Sequence, residues 1–492
     1  MNRLFVWRGM LASAALLVGT LLALGLRGDV FAQVPLPPPL ITVFTAGNAT
    51  AGNPIPGTDL IRYPLSGPDV VCNDGTTPVI YLRRWTNQAD RNKWLIYLQG
   101  GGDCLEGGEC RDRWMSGGVQ PNYGLQKMST SIPRNVWDAT HAAPPNGWTL
   151  QGGFYRVPPG IQGTGILSPN PANPFAGWNI VFANYCSSDS WSGQVTDRVL
   201  NAGGMDYRIH FRGATIFDAI IAQLRSGAVV YQHEDQERTM PDLDNAAMVL
   251  LSGSSAGGNG VKHNLDRLRG QLRAANPEVE VRGVIDAAAS PTREFLPWNG
   301  PFPMDSYTNY MQNQWNLYTT VWNHRGDASC LALNPLEPWR CADSIHVLRH
   351  HITTPFFQRM DLQDENAIDS FLMHYTPATY QYEFAVHTSV QLHEIADLLG
   401  VLAPRYPAEA AAMAADPQWL APGVYGPRCT NHVGLTGGEP FFQQRVPDAN
   451  GAFTRFVQAL YAWVNIAPGS GVPSPELVTL SGVGAAGPTQ CP

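Results

Sequence analysis

One serine in this chain stands where a protein makes a nucleophile. In Gly253-Ser254-Ser255-Ala256-Gly257-Gly258, only Ser255 has glycine at both −2 and +2. That spacing lets a backbone turn sharply between a strand and a helix while it holds a strained serine outward. A serine hydroxyl attacks poorly until a base takes its proton, and the base needs an orienting carboxylate. The pattern therefore asks for a histidine and an acid elsewhere in the chain. It also asks for amide donors to take the charge that develops on an attacked carbonyl oxygen. The chemistry is acyl transfer through serine, which requires neither a metal nor an organic cofactor. Ser254 is the competing hydroxyl, and a glycine-rich turn without chemistry is the competing reading.

The flanking elements favour the catalytic reading. Ala246 to Leu251 is a short, almost wholly apolar run, as a central parallel strand covered on both faces requires. After the glycines, Val261, Leu265, Leu268 and Leu272 recur at helical spacing, with Asp266, Arg267 and Arg269 between them. Ser255 then stands at a helix N-terminus, where the dipole and free amides favour negative charge. An earlier strand, Trp94 to Leu98, runs into Gln99-Gly100-Gly101-Gly102-Asp103-Cys104. Consecutive glycines after an early strand suit a second source of amides, so the oxyanion hole is assigned to Gly101, Gly102 and Ala256. These elements predict an α/β fold of the α/β-hydrolase type: a mainly parallel central sheet flanked by helices, in one catalytic domain over residues 59–492.

In this fold the chain order is serine, acid, histidine. Thr354 to Met360 is strand-like, and Asp361, Asp364 and Glu365 follow it. Asp364 is preferred because it lies past the strand edge, where a loop carboxylate reaches back. The downstream histidines are His374, His387, His393 and His432. His387 and His393 fall in Tyr382 to Leu402, which has helical periodicity and places them on a helix surface or in packing. His432 lies in a loop, Cys429 to Gly434, ahead of a last amphipathic helix marked by Phe453, Phe456, Val457, Leu460 and Val464. It is taken as the base. The pair His350-His351 precedes the acid and is read as structural.

The chain begins with Arg3 and Arg8, an apolar run from Met10 to Leu26, and then Val30-Phe31-Ala32. That order describes a signal peptide over residues 1–32, with an uncleaved N-terminal anchor as the alternative. A proline-rich linker over 33–58 follows. Removing the first 32 residues leaves 29 basic against 39 acidic side chains, a net charge near −10, which repels nucleic acid and anionic lipid. Eight cysteines behind an export signal predict four disulfides and a secreted or extracytoplasmic protein. Cys429-x-x-His432 stands alone, without partners at zinc spacing, so no metal site is expected. No protein partner is evident.

Seven blocks together resemble the pectin acetylesterase and Notum family of extracellular carboxylesterases: VCNDGTTPVIYLRR from Val71, WLIYLQGGGDC from Trp94, WNIVFANYCSSDSWSG from Trp178, FRGATIFDAIIAQL from Phe211, LSGSSAGGNGVKHNLDRL from Leu251, TPFFQRMDLQDENAI from Thr354 and RCTNHVGL from Arg428. The resemblance implies nucleophile Ser255, acid Asp364 and base His432. It also implies disulfides Cys72 to Cys186 and Cys104 to Cys110. Nearness in sequence then suggests Cys330 with Cys341, and elimination leaves Cys429 with Cys491. Gln99 stands where the family usually has Glu, and Asp103 where an aromatic is usual. The stretch over 114–161 is longer than expected for the family and is read as a lid or a surface insertion. The implied substrate is an acetylated polysaccharide. A fatty-acyl ester is the second reading, and a non-catalytic glycan-binding relative the third.

Overall fold

Short runs of branched aliphatic and aromatic residues, each bounded by turn formers, build a ten-stranded sheet. Its strands are β1 (Leu60–Pro64), β2 (Val79–Arg83), β3 (Lys93–Leu98), β4 (Gly160–Ile161), β5 (Asn179–Ala183), β6 (Met248–Ser254), β7 (Glu280–Asp286), β8 (Phe356–Arg359), β9 (Gly423–Gly426) and β10 (Glu476–Val478). They lie side by side in the order β10-β9-β8-β7-β6-β3-β5-β2-β1-β4. From β10 to β5 every pairing is parallel. Strands β2, β1 and β4 extend that edge antiparallel. This is the α/β-hydrolase-like arrangement that the strand, turn and helix order predicts.

The computed structural model describes residues 58–115, 124–139, 144–145, 147–288, 304–372, 380–447, 451–478 and 491. These residues belong to one compact unit. The expected signal peptide and all of the expected linker but Thr58 lie outside them, as does His374. Among the described residues, no helix is long and apolar enough to cross a membrane.

Strand β6 shows why its run is almost wholly apolar. Val249 and Leu251 face one core layer, with helix α1 (Gly213–Arg225) and helix α2 (Ala256–Ala275). Leu250 faces the other, with helix α3 (Phe456–Val464). On α2, Val261, Leu265, Leu268 and Leu272 are all buried, as their spacing predicts. Phe453 departs from expectation: it lies in a short strand, Phe453–Arg455, and is 38% exposed. The Gln458 side chain accepts from the Arg455 amide at 3.0 Å and so starts the helix after that strand.

Four disulfides join Cys72 to Cys186, Cys104 to Cys110, Cys330 to Cys341 and Cys429 to Cys491. All four expected pairings are present, and no cysteine is free. Within 114–161, Ser131–Pro133, Phe154–Arg156 and Thr149–Gln151 form a small antiparallel sheet. Leu125, Ile132, Trp137 and Tyr155 pack into a minor core of its own.

Leu265 fills the seam between α2 and the sheet and is fully buried. Leu265→Ala should therefore lower stability by about 2–5 kcal/mol through lost transfer energy and a residual cavity. The measurement is a fall in the urea midpoint at unchanged slope.

Candidate active site

The register of the sheet aligns the carboxyl ends of four strands. Gly253 pairs with Leu98, Ser254 with Asp286, and Asp286 with Arg359. Loops leaving β3, β6, β7 and β8 thus converge on one edge, where open α/β sheets hold their ligands.

Ser255 is the residue before α2, with φ 57° and ψ −126°. That φ is strained for a side-chain-bearing residue. Space explains the glycines around it. A Cβ on Gly257 would lie 1.9 Å from the Leu98 carbonyl oxygen, and one on Gly253 would lie 2.3 Å from the Gly257 carbonyl oxygen. The Ser255 amide donates to the Asp286 carbonyl at 2.9 Å, so the strained turn is tied to the neighbouring strand. Ala256 opens the helix, and its amide belongs to the first turn, which has no intrahelical acceptor.

The glycine loop after β3 lies against Ser255. A Cβ on Gly100 would lie 3.0 Å from the Ser255 Cβ. The buried Arg113 side chain donates from Nη2 to the Gly101 carbonyl at 2.5 Å and to the Gly102 carbonyl at 3.4 Å. A trans peptide points its amide opposite to its carbonyl. The Gly102 amide therefore faces away from Arg113. Arg113 Nε donates to Ser188 Oγ at 2.9 Å, and the Trp191 indole donates to the Gln99 carbonyl at 3.0 Å. Ser188, Ser190 and Trp191 all have positive φ. This contorted Cys186 to Gly193 segment braces the glycine loop from behind. Lys127 also packs on the loop, with Cε 2.9 Å from where a Gly101 Cβ would be. Burial, aided by Arg113, pushes the Lys127 ammonium down to about 7.

Asp364 and His432 meet because β8 and β9 continue as a ladder beyond their last paired residues. Amides of Met360, Leu362, Gln363 and Glu365 donate to carbonyls of Tyr425, Pro427, Cys429 and Thr430. Asp364, fully buried, accepts from the Ala367 amide at 3.0 Å and so caps the helix Glu365–Leu372. Both of its carboxylate oxygens lie 2.9 Å from His432 Nδ1. A carboxylate there accepts a hydrogen bond from Nδ1–H and so keeps the proton on that nitrogen, which leaves Nε2 as the nitrogen with a lone pair.

The other acids divide as follows. Asp361 is bonded to Arg359, to the Asn431 amide at 2.8 Å and to Gln444 Nε2 at 3.0 Å. Glu365 is exposed. His387 and His393 lie on the helix Tyr380–Ala396, and His393 pairs with Glu476. His351 and His346 approach each other at 3.2 Å between their Nε2 atoms, near Cys330. The sulfur of Cys330 is in a disulfide and offers no thiolate. Burial pushes the His351 imidazole down to about 4.

Two residues central to the site were not singled out from sequence. Asp286 and Arg359, both fully buried, form an ion pair, and Asp286 Oδ2 accepts from the amides of Gly434 and Leu435 at 2.9 Å. Their signal was a charged residue ending an apolar strand, Asp286 after Val284-Ile285 and Arg359 after Phe356-Phe357-Gln358. Burial opposes the charge on Arg359, and Asp361 and Asp286 more than offset it, so the guanidinium titrates above its ordinary value.

The pectinacetylesterase family profile matches residues 63–130 and 149–468. Among curated proteins, palmitoleoyl-protein carboxylesterase NOTUM of Drosophila melanogaster is 31% identical over 330 residues, which is 66% of this chain and 40% of that protein. The Homo sapiens NOTUM of the same description is 30% identical over 234 residues, or 46% of this chain and 36% of that protein. This chain therefore spans well under half the length of these two relatives. Among solved structures, the Wnt deacylase Notum from Drosophila aligns with TM-score 0.54 at 24% identity, covering 82% of this chain and 93% of that one. A second crystal form of it aligns with TM-score 0.53 at 25% identity, covering 83% and 93%.

The geometry predicts a ranking among three side-chain changes. Ser255→Ala should abolish ester hydrolysis in a protein that keeps its near-ultraviolet dichroism. Asp364→Asn should cost on the order of 10⁴ in kcat by spoiling tautomer control. Glu365→Gln should stay near the native rate. The check is kcat on a nitrophenyl ester, and a crippling Glu365→Gln beside a mild Asp364→Asn would reassign the acid.

Proposed function

The chain belongs to the pectinacetylesterase family, and from that premise we propose that it is an exported serine carboxylesterase that removes acetyl groups from a polysaccharide. The observation that carries the reading is the His432 imidazole held at 2.9 Å by both oxygens of a buried Asp364, on a loop that shares the Asp286 carboxylate with the serine turn of the nucleophile-elbow type. Four disulfides suit an oxidising compartment outside the cytoplasm.

In this mechanism Ser255 Oγ attacks the ester carbonyl carbon while His432 Nε2 takes its proton. Asp364 stabilises the imidazolium that forms, and the Gly101, Gly102 and Ala256 amides receive the oxyanion. The imidazolium then gives its proton to the departing sugar oxygen. Water, deprotonated by the same nitrogen, attacks the acyl-enzyme, frees acetate and restores the serine. The roles fall to side chains and main-chain amides of this chain alone.

An acetyl substrate is favoured by the family match and by the crowding of the glycine loop, where the side chains of Arg113 and Lys127 both pack against Gly101. A long acyl chain needs a deep apolar cavity, and cationic side chains are a poor lining for one. The fatty-acyl reading keeps its support from the relatives described as palmitoleoyl-protein carboxylesterases.

Nitrophenyl esters of increasing chain length separate the two readings. Acetate should exceed octanoate and palmitate in kcat/KM by at least about tenfold, which corresponds to about 1.4 kcal/mol in the transition state. Purified enzyme should also release acetate from acetylated polygalacturonate. A rate that rises with chain length, without acetate release from the polymer, would transfer the assignment to the fatty-acyl class.

A further inference from the structure

His432 is pinned on both sides by buried carboxylates. The amide of Asn431, just before it, donates to Asp361 Oδ2 at 2.8 Å. The amides of Gly434 and Leu435, just after it, donate to Asp286 Oδ2 at 2.9 Å. One guanidinium, Arg359, is ion-paired to both carboxylates, and all three side chains are fully buried. Gln444 closes the set, with Nε2 donating to Asp361 and Oε1 accepting from Arg359 at 3.3 Å. The loop lies flush on this group: a Cβ on Gly434 would come within 2.3 Å of Arg359 Nε.

The same Asp286 reaches the nucleophile. Its carbonyl accepts from the Ser255 amide at 2.9 Å, and its carboxylate accepts from Ser254 Oγ at 2.6 Å. Ser254 Oγ in turn accepts from Tyr97 at 3.0 Å. We propose that Asp286 and Asp361, held together by Arg359, are positioning residues that fix where His432 stands relative to Ser255. This assignment rests on the triad reading above and adds the device that aligns it.

Neither carboxylate can be replaced by its isosteric amide without losing hydrogen bonds. Asp286 receives the guanidinium on Oδ1 and three hydrogen-bond donors on Oδ2. An amide at that position turns its NH2 toward donors in either orientation. Asp361 faces donors on both oxygens in the same way. Asparagine at either position therefore loosens the loop while it keeps the volume. A reacting group displaced by about 1 Å costs on the order of 100-fold.

The test places Asp361→Asn and Asp286→Asn in two backgrounds, native and His432→Ala, and follows 4-nitrophenyl acetate hydrolysis corrected for the folded fraction. In the native background each change should lower kcat about 10- to 100-fold, with KM moving less than about twofold. On His432→Ala neither should alter the small residual rate, because there is no base left to misplace. A general loss of structure would instead lower both backgrounds by the same factor, and that result overturns the proposal, as does an unchanged native kcat. If Asp286→Asn does not fold, Asp361→Asn decides alone, since it leaves the Arg359–Asp286 pair in place. A native protein that hydrolyses no ester, or a His432→Ala protein at full rate, defeats the triad reading and this inference with it. A slow His432→Ala beside a fast Asp361→Asn defeats only this inference.

Discussion

A carboxylate buried at the end of a core strand must be neutralised and fully hydrogen-bonded, because leaving it bare in the interior costs many kcal/mol. Asp286 meets that demand by gathering a guanidinium, a hydroxyl and two main-chain amides from three separated parts of the sequence. The groups it gathers are the ends of β6 and β8 and the loop that carries His432. Satisfying one charge thus brings together segments that hydrophobic packing alone would leave free to slide along the sheet edge.

The hydrophobic layers do a different task. They set the strand order and the parallel register, which delivers loop ends to the correct edge to within a residue. Polar contacts then set the final placement. The contorted Cys186 to Gly193 segment illustrates this second stage. Asp189 is fully buried within it and accepts from the Gly213 amide at 2.7 Å, at the start of α1. The helix N-terminus, the brace and the glycine loop are therefore one connected piece.

Local chemistry explains what could be read in advance. The elbow around Ser255 is legible because its glycine requirement, its apolar strand and its amphipathic helix are all local and adjacent. The pairing of Asp364 with His432 is legible because chain order and loop position narrow the choice to a few side chains. Asp286 and Arg359 have no such local signal: apart from Asp361, the partners that explain them lie 32 to 149 residues away, and a single charge ending an apolar run does not announce its purpose. Phe453 was misplaced because an apolar residue at helical spacing also fits the last position before a cap. The stretch over 114–161 gave no sign that it carries its own small core, since Leu125, Ile132, Trp137 and Tyr155 have no common period.

The Cys429–Cys491 bridge acts on the unfolded chain as much as on the folded one. It joins the position three residues ahead of His432 to a cysteine 62 positions further on, and so closes a ring of chain that contains His432, α3 and β10. A cross-link of that span removes about 4 kcal/mol of conformational entropy from the unfolded ensemble. Its contribution to the His432 loop is therefore made before that loop forms a single hydrogen bond.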